Sequence, residues 1–475
     1  MCSIILLNHL IIIALGLYVV FYVGIFVGFN GIQRLSFPIL RNNTNTLFII
    51  VVLFGFSITN HVDNQINYTV SFIDILLLWS YVCYLVTSGE FVKYKFNAHF
   101  EYDLLIVFTC FSVIVINSSN DFISVLLAIE LLSLCFYTLA TFKSQSEICV
   151  DAGIKYLIIG AFSSGLIVLG ITLIYSSFGN ICFESVEKNN LFFNRLNVIN
   201  ANVIFLSALL FKLGVFPSHQ WVCDVYDGVP INITLLFSTV PKIIIFSLIV
   251  KTVFWVYSKN TFFISILFGF CGLGSICLAS VAALYQKRLK RLLAYSTISH
   301  VGFMILGISF LTLDGLKSGL LYVILYTFTT FTLFSLLFSS AQGNAQQKFL
   351  LNWNGCFLRN STLAVCLALV LYSLAGLPPT VGFFAKFGVL LSTVASDNHV
   401  IAIIVVSFSS VGCFYYIKLV KNFFFGSKHF SRNWFSSQTK TIAIFVSISL
   451  QFIMLYLFHC DLLVNNVLIT LLELT

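Results

Sequence analysis

Apolar runs of membrane-spanning length follow one another along nearly the whole chain, and no other feature constrains the fold as strongly. A spanning helix needs about 20 mostly apolar residues, because the hydrocarbon is roughly 30 Å thick and an α-helix rises about 1.5 Å per residue. By that ruler, helices are predicted near 4–29, 45–60, 68–88, 103–119, 121–142, 151–176, 198–222, 231–257, 261–284, 289–313, 314–341, 361–394, 398–425 and 440–463. The expected class is therefore all-α: a polytopic membrane protein with about fourteen transmembrane helices. Only 9% of the 475 residues are charged and 59% are apolar, whereas soluble domains are about a quarter charged.

The first run, about 3–29, has no basic residue before it and is too long for a signal-peptide core, so it reads as a retained helix. No Arg-rich amphipathic leader precedes it. The abundance of Phe, Ile, Asn and Tyr, residues with A/T-rich codons, fits a gene carried inside an organelle.

The net charge of +8 would suggest nucleic acid in a soluble protein, but no basic run or basic–aromatic face is present, so no nucleic-acid partner is expected. Membrane topology explains the charge better. About sixteen of the loop lysines and arginines, among them Arg34, Lys93, Arg288, Lys290, Arg291 and Lys421, follow odd-numbered helices. About five, including Lys251 and Lys317, follow even-numbered ones. With an even number of helices, this places both termini on the side opposite synthesis.

Four basic residues fall inside spans: Lys155, Lys212, Lys242 and Lys386. A lysine there costs about 2.5–3.5 kcal/mol on insertion scales, so several of them need a compensating role. Lys212, Lys242 and Glu130 sit near mid-bilayer. Lys155 lies close to its helix end and reads either as functional or as an interfacial lysine whose ammonium reaches the headgroups. His300, in Tyr295-Ser-Thr-Ile-Ser-His300, reads either as a packing residue or as a titrating group in a polar file with Tyr295, Ser296 and Ser299. Asp74 has no evident partner.

Prolines mark the same places. Pro217 interrupts the seventh span just after Lys212, and Pro378-Pro379 interrupt the twelfth just before Lys386. Proline removes a backbone donor, and such breaks survive in a membrane only where protein or water lines them. They occupy matching positions in two five-helix blocks, about 103–257 and 261–425, and an odd number of spans inverts the second block against the first. This gives an N-terminal three-helix extension (1–102), a core (103–425), and a C-terminal loop and helix (426–475). Gly24-x-x-x-Gly28 and Gly315-x-x-x-Gly319 read as close helix contacts.

The thirteen cysteines form no CxxC pair, and no dinucleotide, P-loop, zinc or haem motif is present. No cofactor or metal is expected in this chain, so the drive for ion movement must come from a partner or from another gradient.

Several stretches resemble one family. These are Asn117-Ser-Ser-Asn through Glu130, Ala152-Gly-Ile-Lys155-Tyr, Phe211-Lys212 through Pro217-Ser-His219-Gln-Trp221, Pro241-Lys242, Lys290-Arg291 through His300, and Ala375-Gly-Leu-Pro-Pro through Lys386. In this order, from about 103 to 390, the chain resembles subunit 2 of NADH:ubiquinone oxidoreductase, an antiporter-like subunit of the membrane arm of respiratory complex I. The resemblance implies that Glu130 is the acid of the fifth helix, Lys212 the lysine of the broken seventh, Lys242 that of the eighth and Lys386 that of the broken twelfth. Related subunits can carry Glu at the last position, so Lys386 favours subunit 2. His300, and secondarily Lys155 and His219, are the further proton-transfer candidates. The first hundred residues match nothing residue by residue.

The resemblance also implies neighbouring membrane-arm subunits and lipids as partners. Flavin, iron–sulfur clusters and quinone would lie in partner subunits, and the location would be the mitochondrial inner membrane or, alternatively, a bacterial plasma membrane. The alternatives are a multisubunit cation/proton antiporter, disfavoured by the wording around Glu130 and Pro378, and a structural membrane spacer, disfavoured by the number of buried lysines.

Overall fold

The computed structural model describes residues 100–183, 195–257, 261–341, 349–426 and 440–472. The helices expected at 4–29, 45–60 and 68–88, with Asp74 and the Gly24 motif, lie outside the described residues. From Phe100 onward the described residues form a succession of helices: α1 (Phe100–Ser118), α2 (Phe122–Thr141), α3 (Glu147–Phe178), α4 (Arg195–Leu213), α5 (Gln220–Gly228) and α6 (Ile231–Tyr257). Then come α7 (Thr261–Leu284), α8 (Leu289–Ser309), α9 (Leu313–Ala341), α10 (Cys356–Arg359), α11 (Ser361–Ala375), α12 (Val381–Ala395), α13 (His399–Phe425) and α14 (Lys440–Leu472). Seven of the described helices are individually long and apolar enough to cross a membrane. The chain is an all-α polytopic membrane protein.

The seventh and twelfth spans are not continuous. Each resolves into two half-helices, α4 with α5 and α11 with α12. Each first half ends at a glycine with positive φ, Gly214 at +75° and Gly376 at +81°, three residues before Pro217 and Pro379. A left-handed residue closes the helix where a side chain would be strained, and the proline that follows prevents its resumption. Residues 100–257 thus make five crossings with the fourth broken, and 261–425 repeat that pattern.

Other boundaries differ modestly. α3 begins at Glu147 rather than near 151, and α14 runs to Leu472 rather than 463. The hydropathy ruler measures the apolar length, and a helix continues past it wherever polar residues keep the backbone bonded. Gly315 and Gly319 meet Gly307 of α8, where an added Cβ would stand 2.9 Å from the Gly315 carbonyl oxygen. The close approach expected from this motif is present.

Connections gather on two faces, as alternate crossing requires. On one, Cys149 Sγ donates to Gly228 O (3.2 Å), Leu350 N to Lys287 O (3.0 Å) and Gly355 N to Asn422 O (3.1 Å). On the other, Phe183 N donates to Asn120 O (3.0 Å) and Phe122 N to Ile181 O (3.2 Å). Lys251, one of the few lysines on the basic-poor face, donates to Ser119 O (2.5 Å), Asn117 O (3.3 Å) and Asn120 Oδ1 (3.2 Å). It caps the carbonyls that α1 leaves unsatisfied at its end, so its position answers a local structural need rather than the charge rule.

Candidate functional site

Lys212 occupies the last turn of α4, directly before the first break, and its Nζ lies 3.8 Å from Glu130 Oε1 of α2. That is charge pairing at a distance too long for a hydrogen bond. Glu130 Oε1 is buried and has no hydrogen-bond partner among the described residues. The Glu130 side chain as a whole is 34% exposed, against 10% for Lys212. It shares an open stripe of α2 with Ile123, Leu127 and Leu134, so the carboxylate is poised between Lys212 and the outer surface of the subunit.

A cavity of about 30 Å³ adjoins Lys212, lined in part by Ser133, Tyr137, Tyr156, Trp221 and Pro241. Roughly 10–15 Å³ suffices for a water molecule where polar partners exist. The cavity leads from Lys212 to the proline that precedes Lys242.

Pro241 lies inside α6 and cannot donate to the Phe237 carbonyl one turn earlier. Tyr226 of α5 supplies the missing donor, its hydroxyl lying 2.8 Å from Phe237 O. Lys242 is 4% exposed. Its Nζ donates to the Tyr326 hydroxyl at 3.4 Å and stands 5.2 Å from the centre of that ring. Among the described residues no carboxylate pairs with it; a desolvated ammonium is held by an aromatic face and a hydroxyl.

The Tyr326 ring centre lies 5.3 Å from that of His300 on α8. His300 is buried, with Nδ1 2.7 Å from the Tyr322 hydroxyl and Nε2 3.2 Å from that of Tyr416. At the second break, Lys386 of α12 reaches back to α11. Its Nζ donates to Ala375 O at 2.7 Å and lies 5.6 Å from the centre of the Phe303 ring, which stacks on Tyr322. Cys413 Sγ shares the Ala375 carbonyl at 3.1 Å. The break thus releases a carbonyl, and the half-buried Lys386 ammonium uses it. From Glu130 to Lys386 the polar groups form an interrupted file between the two broken helices.

The start of α8 is anchored to α5. Arg288 pairs with Asp227 (2.5 Å) and Arg291 with Asp224 (2.6 Å), while Lys290 donates to Val229 O (2.5 Å). These residues of the Lys290-Arg291 stretch tie the second half of the first broken helix to the helix that carries His300.

Residues 119–412 match the family described as NADH:quinone oxidoreductase/Mrp antiporter, TM. NADH-ubiquinone oxidoreductase chain 2 of Oenothera berteroana is 33% identical over 407 residues, 84% of this chain and 82% of its own. The chain belongs to this family. Another relative, NADH-quinone oxidoreductase subunit N of Methylobacterium nodulans, is 32% identical over 74% of this chain and 73% of its own length. A chain of respiratory complex I from Thermus thermophilus shares the fold, with a TM-score of 0.76 at 20% identity, covering 96% of this chain and 98% of that one. Glu130, Lys212, Lys242, His300 and Lys386 all fall inside the family region.

Within this family member, two candidates stand apart from the file. Lys155 pairs with Asp151 at 2.9 Å, one turn away on the open face of α3, and both side chains are largely exposed. His219 stays with its own loop, Nδ1 3.2 Å from Pro217 O. Among the described residues His300 bonds hydroxyls other than that of Tyr295, and Ser296 and Ser299 donate to carbonyls of their own helix at 2.7 Å. The hydroxyls on His300 come instead from Tyr322 and Tyr416, which sequence reasoning missed. The available signal was a tyrosine pair one turn apart, Tyr322 and Tyr326, in the middle of a spanning helix.

The Tyr226 bond carries a stability consequence. Tyr226→Phe keeps the ring but strands Phe237 O in the membrane interior, so a loss of about 1–3 kcal/mol is expected. It is read as a lowered Tm of the purified assembly in detergent.

Proposed function

We propose that this chain is the antiporter-like, proton-translocating subunit 2 of the membrane arm of an NADH:quinone oxidoreductase, respiratory complex I, in the mitochondrial inner membrane. The observation that carries the reading is the Lys212–Glu130 charge pair within a span at one helix break, followed by Lys242, His300 and Lys386 toward the other. Residues 103–425 form the proton-handling core in this reading. The chain holds no redox group; flavin, iron–sulfur clusters and quinone belong to partner subunits, and lipid or a neighbouring subunit covers the open stripe beside Glu130.

The proton route follows from electrostatics in a poorly hydrated interior. Glu130 and Lys212 each favour the other's charged form. When a change in the neighbouring subunit draws the carboxylate away, Lys212 loses its counter-charge and releases its proton toward Lys242 through the cavity at Pro241. His300 passes charge onward to Lys386 beside the second break. Moving one charge against 100 mV costs about 2.3 kcal/mol, so a modest change in each group's proton affinity suffices.

The test is to isolate the native assembly through a tag on this chain and assay its contents. Co-purifying flavin and iron–sulfur subunits, with NADH-driven quinone reduction, are expected. An assembly free of both, exchanging Na⁺ or K⁺ for protons, would establish the antiporter instead.

A further inference from the structure

We infer that the hydroxyls of Tyr322 and Tyr416 are the groups through which His300 receives and surrenders its proton, and that they hold the imidazole in the orientation this requires. The inference rests on the proton-transfer reading above and assigns the two residues that make His300 serviceable. Each ring nitrogen meets one hydroxyl, at 2.7 Å and 3.2 Å, and the two tyrosines come from different helices, α9 and α13.

A neutral imidazole has one N–H and one bare nitrogen, whereas a phenol can both give and accept. Only two arrangements satisfy every group: Tyr322 donates to Nδ1 while Nε2–H donates to Tyr416, or the reverse. The ring is therefore bonded on both sides in either tautomer, and in its buried position the two phenols are the groups it bonds.

Neighbouring rings link this cluster to both lysines. Tyr322 lies one turn from Tyr326, whose hydroxyl accepts the Lys242 bond. Tyr416 lies three residues after Cys413, which shares the Ala375 carbonyl with Lys386. His300 is within electrostatic reach of both lysines. The imidazole and its two hydroxyls thus belong to one cluster with the groups that hold the two lysines.

The step balances without leaving charge on the relay. The Lys242 ammonium gives a proton to the Tyr326 hydroxyl it bonds and becomes the amine, and the proton which that hydroxyl releases travels on through water. The Tyr322 oxygen takes a proton as its own passes to Nδ1. The Nε2 proton passes to the Tyr416 oxygen, whose own proton goes on through water to the Lys386 amine, forming the ammonium. The ring ends neutral with its N–H on the other nitrogen, in the second of the two arrangements.

The experiment uses the whole complex carrying Tyr322→Phe, Tyr416→Phe or both, reconstituted in proteoliposomes, with NADH oxidation by an artificial acceptor reporting the assembled amount. Phenylalanine keeps the rings and removes only the hydroxyls. Pumping per assembled complex is expected to fall about a hundredfold in the double variant, the lower end of what positioned acid–base groups supply. The solvent deuterium isotope effect should rise above that of the unmodified complex, because proton transfer at His300 becomes limiting.

Pumping at the unmodified rate overturns the inference. So does a loss that tracks the assembled amount with an unchanged isotope effect, since that is what a packing role gives. If the double variant fails to assemble, the single variants are judged by the same two readings. His300→Ala separates the levels: normal pumping there removes the reading of His300 itself, whereas defective pumping there with normal pumping in the tyrosine variants removes only the relay.

Discussion

A complex carrying Lys212→Ala is expected to lose proton pumping and quinone reduction together while still passing electrons from NADH to an artificial acceptor. The ammonium at the first break is the counter-charge of Glu130, 3.8 Å away, and it is the group that adjoins the cavity leading to Pro241 and Lys242. Without it both pairing and proton release are gone, and a fall of about a hundredfold in pumping per complex is the scale for losing a positioned acid–base group. Glu130→Ala should act in the same direction. Lys212→Arg decides between a proton carrier and a structural ion pair. Arginine keeps the charge that pairs with Glu130 but does not give up its proton at physiological pH. A carrier therefore fails in Lys212→Arg although the complex assembles, whereas a spacer held together by the ion pair works normally. Unimpaired pumping per electron in assembled Lys212→Arg would return the chain to the spacer reading.

What the sequence disclosed, and what it withheld, follows from the range of the forces involved. The spans after residue 100 were legible because hydrocarbon thickness sets a length that each segment must meet by itself. The breaks were legible because Pro217 and Pro378-Pro379 forbid helix locally, and Lys212, Lys242, Lys386 and Glu130 because charge in a span is costly wherever it points. Direction was not legible. Lys155 satisfies the same sequence criterion as Lys212, yet it lies on the open face of α3 against Asp151. Hydropathy does not say which face of a helix that is apolar on every side turns inward.

The partners of His300 were hidden for a related reason. The on-helix groups near it in sequence, Ser296 and Ser299, satisfy their hydroxyls on carbonyls of α8 itself. Tyrosine is too long to return to its own backbone in that way. Its hydroxyl must find a partner on another helix, so Tyr322 and Tyr416 reach His300 across separations that no local pattern encodes.

The second break yields the other large effect, at a residue with no polar chemistry. Gly382 lies in the first turn of α12, and a Cβ there would collide with the Ser373 carbonyl oxygen of α11. That atom is backbone, and its peptide belongs to the turn that also bonds Gly376 N at 3.1 Å, so no rotamer change relieves the clash. Gly382→Ala must push the two half-helices apart. Lys386, one turn further along α12, moves with its helix, and its 2.7 Å bond to Ala375 O at the end of α11 is stretched. A displacement of about 1 Å at a reacting group costs on the order of a hundredfold in rate, and overpacking costs about 1–3 kcal/mol of stability. Gly382→Ala is therefore expected to lower both the assembled amount and the pumping per assembled complex, although every titratable side chain is intact. Gly165 of α3 serves as the comparison, because a Cβ there meets nothing within 4 Å, and Gly165→Ala should pump as the unmodified complex does. If Gly382→Ala matches Gly165→Ala in both measurements, the close crossing of α11 and α12 is not what places Lys386 on the freed carbonyl.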